Sequence, residues 1–127
     1  MLSKIIVAGG RTYKNYEFVA ENCRKFIADN NVYYPEIVTG TDLIKDNEPY
    51  GVDQLSVKFA REHGYEYTIF KAEWSTYGSG AGPIRNGEMA VYGDVLLAFW
   101  DGNSRGTKNM IDQAKKRGVP VHIYHIK

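Results

Sequence analysis

The sequence predicts a three-layer α/β sandwich: a parallel five-stranded sheet in the order 3-2-1-4-5, with helices on both faces. Three observations carry that expectation. Short apolar runs of strand length alternate along the chain with longer segments whose apolar residues recur at helical spacing, the pattern of repeated strand-helix units. The runs Ile5-Ile6-Val7-Ala8 and Val95-Leu96-Leu97-Ala98-Phe99-Trp100 are continuously apolar, as strands covered on both faces must be. The runs from Tyr65 to Phe70 and from Val119 to Tyr124 alternate polar and apolar residues, and the second contains Pro120, which suits the two sheet edges.

Taken in order, Lys4 to Ala8 is the first strand, and Gly9-Gly10-Arg11 turns the chain out of it. Asn15 caps the next segment, Glu17 and Glu21 suit the positive end of its dipole, and Phe18, Val19, Cys23, Phe26 and Ile27 form its apolar face. Pro35 to Thr39 is the second strand. Gly40 begins a long polar loop over 41–50, and after Gly51 a helix turns Val52, Leu55, Phe59 and Ala60 inward and stops at His63-Gly64. The third strand is followed by a loop from Lys71 to Gly82, long enough to imply function. Pro83 suits the first position of a helix that runs to Tyr92, since its missing N–H costs nothing there. After the fourth strand, Asp101 to Gly106 is a second glycine-bearing loop. A last helix from about Thr107 packs Met110, Ile111 and Ala114 and ends at Lys115-Lys116-Arg117.

At 127 residues the chain has room for one domain, residues 1–127, with a real core. Sixteen basic against 15 acidic residues leave a formal charge of +1, which argues against a nucleic-acid partner. After Met1-Leu2-Ser3-Lys4 a run of only four apolar residues leads into Gly9-Gly10, too short for a signal peptide or a membrane span, so a cytoplasmic location with no membrane partner is expected. Cys23 is the single cysteine, which excludes an intrachain disulfide and a cysteine-rich zinc site; burial on its helix is expected. His63, His122 and His125 lack metal-ligand spacing, and Asp42, Asp46 and Glu48 lack the glycine and terminal glutamate of an EF-hand, so neither a metal nor a cofactor is expected.

The expected strand order reverses between strands 1 and 4, and open α/β sheets bind ligands outside the carboxyl ends of their strands at such a point. Gly9-Gly10-Arg11, residues 71–85 and Asp101 to Thr107 converge there. The chain has neither a G-x-G-x-x-G dinucleotide fingerprint nor a Walker A sequence. What stands on the rim instead is Arg11, Arg85 and Arg105. Arg85 offers a permanently charged fork suited to phosphate, and Gly82 ahead of it lets a ligand approach the backbone. Arg105-Gly106-Thr107 resembles a phosphate cradle at a helix start, although plain helix capping explains the same residues. Gly51-Val52-Asp53 puts a carboxylate at a helix start, where it serves the dipole or accepts a hydrogen bond from a ribose hydroxyl or a base amine. Trp74, Tyr77, Tyr13, Tyr50 and Trp100 are loop or strand-end aromatics able to stack on a base, while the same residue types also cover cores and subunit contacts.

Val7-Ala8-Gly9-Gly10-Arg11, Thr39-Gly40 with Gly51-Val52-Asp53, Lys71-Ala72-Glu73-Trp74, Ala81-Gly82-Pro83-Ile84-Arg85-Asn86 through Met89, and Gly106-Thr107 together resemble the small DUF2493 proteins of the SLOG superfamily. The resemblance spans nearly the whole chain. It implies a Rossmann-like fold and a site for a nucleotide or nucleotide derivative, with Gly9, Gly10, Arg11, Arg85, Gly106 and Thr107 on the phosphate, Asp53 on sugar or base, and Gly51, Trp74, Gly82, Asn86 and Arg105 beside them. Two departures matter. Family members commonly join the second-strand glycine to Gly-x-Asp by a short turn, which residues 41–50 expand here. Lonely Guy phosphoribohydrolases of this superfamily carry Arg-Lys-x-x-Met and Gly-Gly-x-Gly-Thr-x-x-Glu motifs; Arg85, Asn86 and Met89 match the first apart from its lysine, whereas Met110 stands where the second has its glutamate. Methionine can neither stabilise an oxocarbenium-like centre nor activate water. The expected function is therefore binding, by a sensor or sequestering protein. The alternative is hydrolysis of an N-glycosidic or phosphate linkage with Arg85 and Asp53 as catalytic candidates. A third reading is single-stranded DNA binding of the DNA-processing type, for which a homodimer would have to concentrate positive loops.

Overall fold

Burial builds the sheet from its middle outward. The computed structural model describes residues 2–40 and 51–127. Strand β1, Lys4–Gly9, and strand β4, which the chain reaches much later at Val95–Trp100, pair in parallel with Ile5 opposite Val95 and Gly9 opposite Phe99. On one side β2, Glu36–Thr39, and then β3, Glu66–Ile69, extend the sheet; on the other side β5, Val121–His125, pairs with β4. The order is β3-β2-β1-β4-β5 with all neighbours parallel, the arrangement expected from the apolar centre and the alternating edges.

Side chains alternate across a strand, so each central strand feeds two cores. Ile5, Val7, Ile37, Leu97 and Phe99 face α1, Tyr16–Asp29, and α2, Val52–His63, which contribute Val19, Cys23, Phe26, Leu55 and Phe59. Ile6, Ala8, Val38, Leu96 and Ala98 face α4, Ala81–Tyr92, and α5, Arg105–Lys116, which supply Met89, Ala90, Met110, Ile111 and Ala114. Cys23 is buried as expected, and burial pushes its thiol up to about 12, leaving it an apolar packing group. Met110, 1% exposed, fills the second core and points away from any rim chemistry. At Gly93 a side chain would enter the space of Ile6, so glycine lets α4 end close against β1.

Asn15 caps α1 as the sequence suggested, its Oδ1 accepting from the Phe18 N–H at 3.1 Å. Gly64, in the left-handed region at φ +68°, closes α2. Other boundaries shift. Helix α4 starts at Ala81, so Pro83 is its third residue, still among the N–H positions that need no intrahelical partner. Helix α5 starts at Arg105 with Ser104 as its cap, two residues before the expected Thr107. The loop after β3 contains a short helix α3, Trp74–Tyr77, and a 3₁₀ turn, Gly78–Gly80. The loop 41–50, with Asp42, Asp46, Glu48 and Tyr50, lies outside the described residues. Among the described residues no helix is long and apolar enough to cross a membrane, and no histidine, cysteine and carboxylate group has the clustering of a metal site.

Candidate functional site

The carboxyl ends of β1, β2, β3 and β4 open onto one rim, and Arg85 links those of β2 and β3. From the second turn of α4 its Nη1 donates to the Gly40 carbonyl just past β2 and, at 3.4 Å, to the Phe70 carbonyl just past β3; its Nε donates to Asn86 Oδ1 at 3.0 Å. Gly40 makes this possible, because a Cβ there would lie 2.5 Å from Nη1 and 2.7 Å from Cζ. Three of the five guanidinium N–H groups are engaged in this way. Nη2 donates to no described residue.

Asp53, in the first turn of α2, supplies the opposing charge. Its Oδ1 is sealed from solvent and has no hydrogen-bond partner among the described residues. Burial pushes the carboxyl up to about 6, opposed by Arg85, the Thr39 hydroxyl, the Gly40 backbone and Arg11. The Thr39 proton already goes to the Val7 carbonyl at 2.9 Å, and the Arg85 charge is the largest influence set against burial. Burial likewise pulls the Arg85 guanidinium down while Asp53 holds it up. A carboxylate so placed can accept a hydrogen bond from a hydroxyl or amine, or hold a proton near neutral pH.

The Gly9-Gly10-Arg11 turn is docked onto the start of α2. Gly10 and Tyr13 carbonyls accept from the Val52 and Gly51 N–H groups at 2.9 and 2.7 Å. Gly9 has a packing reason to be glycine, since a Cβ would fall 2.5 Å from the Phe99 carbonyl and 2.6 Å from Val52 Cγ2. Gly10 has room for one. Gly51, at φ +82°, sits against the Arg11 carbonyl, so the Arg11 backbone is fixed beside Asp53 while its side chain is exposed.

Asn86 is 5% exposed and bridges the two rim helices: its Nδ2 donates to Asn109 Oδ1 at 3.0 Å and to the Gly106 carbonyl at 3.3 Å. Ahead of α5, Asp101 Oδ1 accepts from the Asn103 and Ser104 N–H groups at 2.8 Å each, and those bonds hold its carboxyl below the usual range. Ser104 Oγ lies 3.1 Å from Thr107 Oγ1 and also caps the Thr107 N–H, so Thr107 belongs to the helix cap. Arg105 and Gly106 remain exposed, with open space around Gly106. Trp74, 51% exposed, lies 3.5 Å from where a Gly82 side chain would begin, and Tyr77 is exposed nearby on the same short helix. Tyr13 packs edge-on against Phe18, and Trp100 donates to the Ser104 carbonyl at 3.1 Å; both serve the fold.

Among the other carboxylates of these loops and helices, Asp101 is tied into its own turn and Glu88 is exposed on α4, which leaves Asp53 as the carboxylate beside Arg85. Gly40, quoted in the sequence only as part of the family resemblance, and Phe70 and Asn109, which did not stand out there, also enter the site. A glycine directly after a strand was the signal for the first; main-chain and amide acceptors give none.

The sheet and its flanking helices define an α/β Rossmann-like fold. The chain is 39% identical over 77 residues to the gene 61 protein of Mycobacterium phage D29, an alignment covering 56% of this chain. It spans 62% of that relative's length. No protein-family model matches. Among solved structures it is similar to a chain described as a predicted subunit of tRNA methyltransferase from Methanocaldococcus jannaschii, with a TM-score of 0.47 and 10% identity over 96% of this chain and 67% of the other.

Proposed function

We propose that this is a SLOG-type binding protein of the DUF2493 kind that senses or sequesters a phosphorylated, nucleotide-derived small molecule at the switch-point rim. The observation that carries the reading is the Arg85 fork, locked by two strand-end carbonyls and Asn86 with its Nη2 edge engaged by no described residue, beside a carboxylate whose buried Oδ1 has no partner among the described residues. An anion on Nη2 gains charge-assisted hydrogen bonds from a group that needs no reordering. Arg11 and Arg105 flank the same rim, and the exposed Trp74 and Tyr77 rings offer a face to a base.

A thermal-shift series with nucleoside monophosphates, diphosphates, cyclic nucleotides and ADP-ribose tests this. A ligand at 100 times its Kd adds roughly 2.7 kcal/mol to stability, and Arg85→Lys, which keeps the charge without the fork, should abolish the shift. Absence of stabilisation by every compound at millimolar level, in folded protein free of copurified ligand, would overturn the proposal.

A second reading draws on Asp53 alone. A carboxyl at about 6 is poised to exchange a proton with a bound ligand near neutral pH, which would suit hydrolysis of an N-glycosidic or phosphate linkage. Release of base or phosphate from a stabilising ligand, lost in Asp53→Asn, would promote that reading over simple binding.

A further inference from the structure

We infer that the rim takes up its anion together with a proton from solvent, which Asp53 accepts when the anion engages Arg85. This rests on the reading of Arg85 as the anion anchor, and it makes the site answer to acidity as well as to ligand. A carboxylate with one oxygen sealed from solvent and unsupported keeps its charge only through nearby cations. Among the described residues Asp53 Oδ1 is in that position. Arg85 acts on the carboxyl from α4 and Arg11 from the turn after β1, while Thr39 and Gly40 face it from the end of β2. Thr39 gives its proton to the Val7 carbonyl, so the two arginines carry the compensation.

Acid and anchor are held against one residue. Gly40 turns its N–H toward Asp53 and its carbonyl onto Arg85 Nη1. The guanidinium cannot swing to follow the carboxylate, because Nη1 and Nε are fixed by Gly40, Phe70 and Asn86. An anion on the Nη2 edge therefore neutralises the charge on which ionised Asp53 depends, and it brings a negative charge of its own. Both effects favour the neutral acid. The free protein starts close to the balance, with the carboxyl pushed up to about 6, so a further rise crosses neutral pH. Linkage is reciprocal: if binding the anion draws in a proton, supplying protons strengthens the binding.

Sulfate is the probe, since it stays fully ionised near neutral pH and contributes no proton of its own. Between pH 7.5 and 5.5 at fixed ionic strength, its affinity for the wild-type chain should rise by about tenfold. A pH-stat titration of the same protein at pH 7 should record uptake of about half a proton or more per sulfate bound. Asp53→Asn should bind sulfate with a flat pH profile and no proton uptake, and Arg85→Lys should not bind it. Sulfate binding that needs Arg85 but neither varies with pH nor draws in a proton would overturn this inference and leave the anion site standing. So would a pH dependence that survives in Asp53→Asn. Absence of saturable sulfate binding at every pH in the range would overturn the anion site itself, and this inference with it.

Discussion

Asp53 is more costly to ionise in the folded protein than in the unfolded chain, because burial outweighs its attraction to Arg85. A folded carboxyl near 6 against an unfolded value of 3.8 means that the folded state holds the extra proton between those values. Stability contributed by this group is therefore full below about pH 4 and declines as pH rises toward 6, by up to about 3 kcal/mol. Asp53→Asn should remove that decline. Urea midpoints of the two proteins measured from pH 4 to 7 should diverge with pH, with the variant gaining relative to the wild type; parallel curves would contradict the assignment. An anion on Arg85 should add to the decline, since it withdraws the neighbour that favours Asp53 ionised. Arg85 itself was legible in the sequence, as a guanidinium placed behind Gly82-Pro83 at a helix start. Its partners were not: the bond from Arg85 to Gly40 joins residues far apart in the chain, and only the sheet order brings them together.

Helices α4 and α5 each bring one side of the rim, and Asn86 ties them. Its amide bonds to Gly106 and Asn109 fix the exposed Arg105-Gly106 segment relative to Arg85. Asn86→Ala should cost about 1–3 kcal/mol through the buried acceptors it leaves behind, and should also weaken ligand binding through lost positioning. Ser104→Ala should cost about 1 kcal/mol as a lost cap and should leave Arg85 in place. Urea unfolding combined with ligand titration separates them: equal binding losses in both variants would mean that the bridge has no special role. The late start expected for α5 has a physical cause. Thr107 looks like a cap in the sequence, but Asp101 folds its own turn back onto the Asn103 and Ser104 N–H groups, which delivers Ser104 to the capping position first. The loop after β3 was read as irregular because a helix as short as Trp74–Tyr77 shows no apolar period to detect.

At the scale of the molecule, sheet order was the most legible feature. Burial on two faces leaves Ile5 to Ala8 of β1 and Val95 to Phe99 of β4 continuously apolar, and exposure at the edges leaves alternation in the sequences of β3 and β5. The composition of the site was less so, because rim chemistry depends on where main-chain carbonyls end up. The pairing of Ile5 with Val95 carries a further consequence, for how the molecule comes into being. The two strands at its centre are about 90 residues apart, so although β1 can meet β2 and β4 can meet β5 locally, a long loop must close before the two central strands pair. Folding should be slow for this size and have β1 and β4 in its transition state. Leu97→Ala should chiefly slow refolding in stopped-flow experiments, whereas Ile69→Val at the edge should chiefly speed unfolding. During synthesis, Ile5-Ile6-Val7 leaves the ribosome long before its partner exists, and a chain halted ahead of β4 carries an apolar strand with one side unpaired. Interrupted translation should therefore yield fragments that aggregate or engage chaperones, while the finished chain closes that edge for good.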